Sequence, residues 1–163
     1  MTTSTYEVFA IKYAQVGRKA WGNFVDGDPH EDADMPLDYF VWAIVGGGRA
    51  IVVDTGFDAS MGQKRGRQIV NPVEQGLEAI GIRHADVRDV IVTHMHYDHC
   101  GNGALFPNAR FILALRHPCD VLLSCFVANF RLNSAMSNFL RLKDAADFYD
   151  LTFRHWDRAR ALL

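Results

Sequence analysis

Apolar and polar positions keep two different rhythms along this chain. "YEVFAIKYA" (6–14) alternates and is rich in β-formers, so it predicts a first strand. "LDYFVWAIV" (37–45), "GGG" and "RAIVVDTG" (49–56) predict two strands joined by a tight turn. The three glycines supply the positive φ angles that such a hairpin demands. "NPVEQGLEAIGI" sets Pro72 near a helix start, Val73, Leu77 and Ile80 at helical spacing, and Gly81 as the stop. "DVIVTH" (89–94) and "ARFILAL" (109–115) are short continuous apolar runs, the pattern of strands covered on both faces. Strands, a helix and further strands in this order predict a layered α/β domain.

Beyond residue 103 the rhythm changes. All 13 glycines lie at or before Gly103, and residues 104–163 contain none. From about Asp120 the apolar positions Leu122, Phe126 and Phe130, then Met136, Phe139 and Leu140, then Phe148 and Leu151 recur at helical intervals. Two or three helices are expected there. The expected organisation is a single domain over residues 1–163, with a recognisable β-rich half over 1–115 and a helical tail over 116–163.

Composition narrows the class. The length of 163 residues suits one domain, and with 49% apolar and 22% charged residues a globular fold follows. A formal net charge of −2 with no long basic run argues against a nucleic-acid or anionic-membrane partner. The local imbalance is acidic: Asp26, Asp28, Glu31, Asp32, Asp34 and Asp38 fall in a stretch without Lys or Arg, read as a solvated loop. The N-terminus lacks a basic region followed by an apolar one, and no apolar run is long enough to span a bilayer. Cys100, Cys119 and Cys125 are odd in number and without framework spacing, which fits reduced thiols and a cytoplasmic location.

The chemistry gathers in "VTHMHYDHCGN" (92–102). His94, His96, Asp98 and His99 fall within six residues, directly after an apolar run. Residues i and i+2 of an extended segment project to one side, so both imidazoles of a His-x-His pair can meet one ion. The turn that follows brings Asp98 and His99 to a neighbouring point, near enough for a second ion. Carboxylate and imidazole suit zinc, and manganese or iron as well. Gly101 and Gly103 then let the backbone turn away without steric cost. Such a loop belongs beyond the carboxyl ends of the strands. Cys100 and Tyr97 read as packing residues. Of Tyr39, Phe40 and Trp42, core is the default, with a pocket for an acyl chain as the alternative.

"THMHYDHCGN" resembles the metal-binding signature of the metallo-β-lactamase-fold hydrolases. "MPLDYFVWAIVGGGRAIVVDTGFD" and "GIRHADVRDVIVTHMHYDHCGN" are similar in particular to the N-acyl-homoserine-lactonase-like branch. The resemblance implies an αββα sandwich of two similar halves with one or two metals, zinc foremost, in the cleft between them. It implies that His94 and His96 bind a first metal and Asp98 and His99 a second. Asp54 of "VVDTG" then matches the family aspartate that supports the ligand histidines, its alternative being a helix or turn cap before Gly56. It further implies hydroxide attack on a lactone, ester or thioester carbonyl, with Asp98 as catalytic proton carrier. The partner is accordingly a small-molecule ester or lactone.

The chain also departs from the family pattern. Only His117 and His155 follow His99, and neither lies in a glycine-bearing turn after a strand, so both read as surface histidines. The family's third histidine, bridging aspartate and last histidine have no counterpart, and the second half reads as shortened or altered. Two donors per ion would leave each shell incomplete. An uncovered sheet face would favour a homo-oligomer. The expected function is lactone or ester hydrolysis by a metal-dependent enzyme. The alternatives are a thioesterase of the glyoxalase II type and a catalytically silent metal-binding homologue. A serine hydrolase is not indicated, since no G-x-S-x-G elbow is present.

Overall fold

The computed structural model describes residues 5–24, 32–128 and 132–161. Asp26, Asp28, Glu31 and Phe130 lie outside the described residues. The chain divides into two compact units, Met1–Ala114 and Leu115–Leu163.

The first unit is built on a six-stranded sheet ordered β4-β1-β2-β3-β5-β6. Its strands are β1 (Glu7–Val16), β2 (Leu37–Gly46), β3 (Arg49–Val53), β4 (Gln68–Ile69), β5 (Asp89–Val92) and β6 (Arg110–Leu113). Between them lie α1 (Ala59–Arg65), α2 (Val73–Ala79) and the single helical turn α3 (Tyr97–Cys100). The fold class is α/β, as the alternation of apolar runs and helical spacing predicts. Strands β4, β1, β2 and β3 pair antiparallel, whereas β3, β5 and β6 run parallel. The β2–β3 turn is the expected glycine hairpin, with Gly47 and Gly48 at φ 59° and 76°.

One face of the sheet carries the core. Tyr13, Tyr39, Val41, Val52, Phe57, Leu77, Val90 and Phe106 are buried there, with ring contacts of 5.0 Å between Tyr13 and Phe57 and 5.4 Å between Tyr39 and Phe57. Helix α2 packs so closely that a Cβ on Gly76 would stand 2.4 Å from Ile11. The other face is open, which corrects the expectation that β5 and β6 are covered on both sides. In β5 only Val90 and Val92 are buried, and in β6 Ile112, beside Ile91 on that face, is exposed, as is Phe111 beside Val90 on the core side. Continuous apolar runs are ambiguous here: they mark a strand, not how many of its faces are covered. Alternation also splits the aromatic set, with Tyr39 in the core and Phe40 and Trp42 on the open face. Of the acidic stretch, Asp34 pairs with Lys19 and Asp38 with Lys12, and Asp32 is exposed.

The second unit contains α4 (Pro118–Val127), a 3-10 segment (Met136–Leu140) and α5 (Leu142–Arg160), matching the helical spacing. The rings of Phe139 and Phe148 stand 5.9 Å apart, and Ala145 of α5 is fully buried. His117 accepts from the Cys119 amide as the cap of α4, and His155 is exposed on α5. The three cysteines are free.

Candidate metal centre

Strands β3 and β5 are parallel neighbours, so their carboxyl ends open at one level. Asp54 follows β3 there, and Thr93 follows β5, with the Asp54 amide donating to Ile91 O at 2.8 Å. Asp54 is buried and holds φ at 63°, the left-handed region that a short polar side chain tolerates best. Its carboxylate accepts from the Thr93 amide at 2.8 Å and the Thr93 hydroxyl at 2.9 Å, and its Oδ2 lies 2.7 Å from Nδ1 of His99. It caps no helix.

This carboxylate orders two imidazoles. A carboxylate only accepts, so the Thr93 hydroxyl proton goes to Asp54. Thr93 Oγ1 stands 3.1 Å from Nδ1 of His94, which must then donate to it. His99 Nδ1 donates to Asp54 directly. With Nδ1 so engaged, Nε2 is the nitrogen each ring can offer to a metal. Burial, then the neighbouring His99 and His96, lowers the pKa of His94, which also favours the neutral ring. Thr93 was not among the residues the motif singles out. Its position between strand and motif is visible in the sequence, but its bond to a residue 39 positions away is not.

Residues 93–96 leave β5 without regular structure, His96 sits at φ −71° and ψ 150°, and residues 97–100 form the helical turn, so the four side chains converge in two pairs. Nε2 of His94 lies 3.1 Å from Nδ1 of His96, and Nε2 of His99 lies 3.5 Å from an oxygen of Asp98. The His94 and His99 rings adjoin at 3.9 Å. Two donors on one zinc at about 2.0–2.1 Å stand roughly 3.3 Å apart in a tetrahedral shell. Both pairs fit that edge. Among the described residues no group of three His, Cys, Asp or Glu side chains is arranged to hold an ion. The residues therefore fit as two half-shells and not as a finished cage.

The rest of the motif is scaffolding. The Thr55 amide donates to His99 O at 2.7 Å, and the Asn102 amide donates back to Thr55 Oγ1 at 3.1 Å. Cys100 donates its thiol to His96 O, and burial raises its pKa, so it is a poor source of thiolate. Tyr97 stacks near Phe57 at 5.6 Å, beneath the Arg65 guanidinium at 3.9 Å. Gly101 serves closeness and not a turn: its φ is −79°, but a Cβ would lie 2.4 Å from Tyr97 O. At Gly103 a Cβ would meet only Phe111 at 3.5 Å, so glycine is not required there, contrary to the sequence expectation.

Tyr13 reaches this loop from β1. It is the extra residue of a β-bulge between Lys12 and Ala14, and the bulge directs its ring into the core. Its hydroxyl donates to Asp98 O at 3.0 Å, and burial, reinforced by the Asp98 charge, holds its pKa far above the ordinary tyrosine value. Tyr13→Phe should cost about 1 kcal/mol and lower Tm by roughly 3 °C. A thermal melt matching the parent would show that the hydroxyl does not anchor the loop.

A separate groove of about 470 Å³ lies at the opposite ends of β3 and β5, lined by Arg49, Arg83, Asp86 and Arg88 among others. It includes no residue of the motif.

Residues 34–121, over half the chain, match the family model of the metallo-beta-lactamase superfamily. No curated protein matches the chain. Among solved structures it is similar to AidC, described as a dizinc quorum-quenching lactonase in complex with a product, at 16% identity and TM-score 0.53. That match covers 88% of this chain and 55% of the other. It is also similar to AbOPH, described as a hydrolase in the beta lactamase superfamily, at 16% identity and TM-score 0.53, covering 94% and 56%. The chain thus spans about half the length of these structures, and at such identity the likeness is one of fold.

Proposed function

The chain belongs to the metallo-beta-lactamase superfamily, and from that premise we propose that it is a metal-dependent hydrolase of lactones or related esters. The observation that carries this reading is the link from Asp54 through Thr93 to His94 and directly to His99. It presents two Nε2 atoms beside further donors at the spacing of shared ligands. His94 with His96 would hold one ion, and Asp98 with His99 a second or the remainder of one shell. Zinc suits these donors, as do manganese and iron. A bound ion would polarise a carbonyl and make a nearby water more acidic. The chain's own part is to fix the donors. Asp98, partly exposed and 3.5 Å from His99 Nε2, would take a proton from water and return it to a leaving alkoxide. The lactone preference leans on the similarity to AidC and on the lactonase-like stretch around residues 35–58. The free cysteines support a reducing, cytoplasmic setting.

One observation favours a second reading, a homologue that binds metal without turning over substrate: among the described residues the donors stand in pairs and not in threes. A single assay separates the readings. N-acyl-homoserine lactones and a glutathione thioester are offered to the full chain with and without added zinc. Zinc-dependent lactone opening supports the proposal. Thioester cleavage alone moves the assignment to a thioesterase, and metal binding without turnover of either leaves the silent homologue.

A further inference from the structure

The turn α3 carries Asp98 and His99 but is too short to hold its own place. It has four residues and no side-chain cap, and the bonds that close it run from the His99 and Cys100 amides to His96 O at 3.0 and 3.2 Å. One helical turn fixes more backbone than its bonds repay, so its position depends on neighbours. The Tyr13 hydroxyl holds Asp98 O and the Thr55 amide holds His99 O. The side chain of Tyr97, the first residue of the turn, is held separately, by two arginines at the end of α1.

Gly66 ends α1 at φ 63°, and the Arg67 amide turns back to Gly62 O at 2.8 Å. This left-handed cap places Arg65 and Arg67 on either side of it. Arg67 is tied further by Nη1, which donates to Arg65 O at 2.8 Å. The Arg65 guanidinium lies 3.9 Å from the centre of the Tyr97 ring, and Arg67 Nε donates to the Tyr97 hydroxyl at 3.4 Å. Tyr97 is therefore gripped at its face and at its hydroxyl. An arginine that serves surface stability commonly pairs with a carboxylate, whereas the side-chain bonds of Arg67 go to the phenols of Tyr97 and Tyr39.

We propose that Arg65 and Arg67 are positioning residues of the metal centre, which by clamping Tyr97 set where Asp98 and His99 stand relative to His94. The inference rests on the metal-binding reading above. Asp98 directly follows Tyr97, so a tilt of the turn carries both donors with it, and a site of this kind tolerates only about 0.5 Å. The pair His94 and His96 precedes the turn and is steadied by Asp54 and Thr93 instead.

Cobalt(II) titration of the full chain tests this, because cobalt accepts the donors that suit zinc and its visible absorption reports coordination geometry. Arg67→Met keeps the stem and removes the donors, and Arg67→Lys keeps the charge and one donor. Arg65→Met removes the charge over the ring at an exposed position, so it keeps the fold and decides the matter even if Arg67→Met does not fold. The expected result is a cobalt dissociation constant raised about tenfold in Arg67→Met with altered absorption, partly restored in Arg67→Lys, and raised less in Arg65→Met. Folded variants with the parent's cobalt affinity and spectrum would overturn the proposal and leave the arginines a purely structural part. A parent that binds no cobalt would instead overturn the metal-binding reading, and this inference with it.

Discussion

Asp54→Ala will unfold more easily than the parent by about 3 kcal/mol, with Tm lower by about 10 °C, and will lose metal affinity. The variant strips the acceptor from the Thr93 amide and hydroxyl and from His99 Nδ1. It also leaves alanine at φ 63°, where a Cβ without a polar side chain gains nothing in return. Asp54→Asn separates the two effects. Asparagine tolerates the left-handed backbone and keeps one oxygen for Thr93. Its amide then faces His99 Nδ1 as a second donor, so His99 must move its proton to Nε2 and cease to be a ligand. The expected result is near-parent stability with metal affinity down about 10–100-fold, read by thermal melts beside calorimetric zinc titration. An Asp54→Asn protein that binds zinc like the parent would sink the proposed role of this carboxylate.

Gly101→Ala should cost about 3 kcal/mol although its φ suits any residue. The added methyl would stand 2.4 Å from Tyr97 O and 3.1 Å from Gly56 O, and backbone at that position cannot step aside. The helical turn must lift, which breaks the 2.9 Å bond from the Gly101 amide to Gly56 O and loosens the Thr55 contacts to His99 O. Gly103→Ala is the control, two residues away and within about 0.5 kcal/mol of the parent, because its methyl finds ordinary contact. Equal urea midpoints for the two variants would contradict this account of the loop.

Much of the fold was legible because its signals are local. The alternation in β1 and β2, the glycine pair of the hairpin, the Pro72 start and the Gly81 stop of α2 each act within a few residues. Helix α1 was missed although Asp58 caps it by accepting from the Met61 amide, because the helix has only seven residues, too few for a clear period. The donor motif was legible for the same local reason. Its supports were not: the Tyr13 hydroxyl and the Asp98 carbonyl are 85 positions apart, and the bulge that joins them leaves no mark on the alternation. Gly101 looked like a turn residue, and the reason for it is a neighbour brought near by the fold. His117 and His155 are a helix cap and an exposed helical side chain, in line with their reading as surface residues.

The most direct test of the metal centre is zinc content by elemental analysis on protein prepared without chelator, beside His96→Ala. His96 is exposed and its side chain bonds to the neighbouring His94, so the variant should keep the parent's Tm. The proposal predicts about one zinc ion per chain or more in the parent and a clear loss in the variant. A parent that holds no zinc, manganese or iron, or a variant that holds as much as the parent, would contradict it.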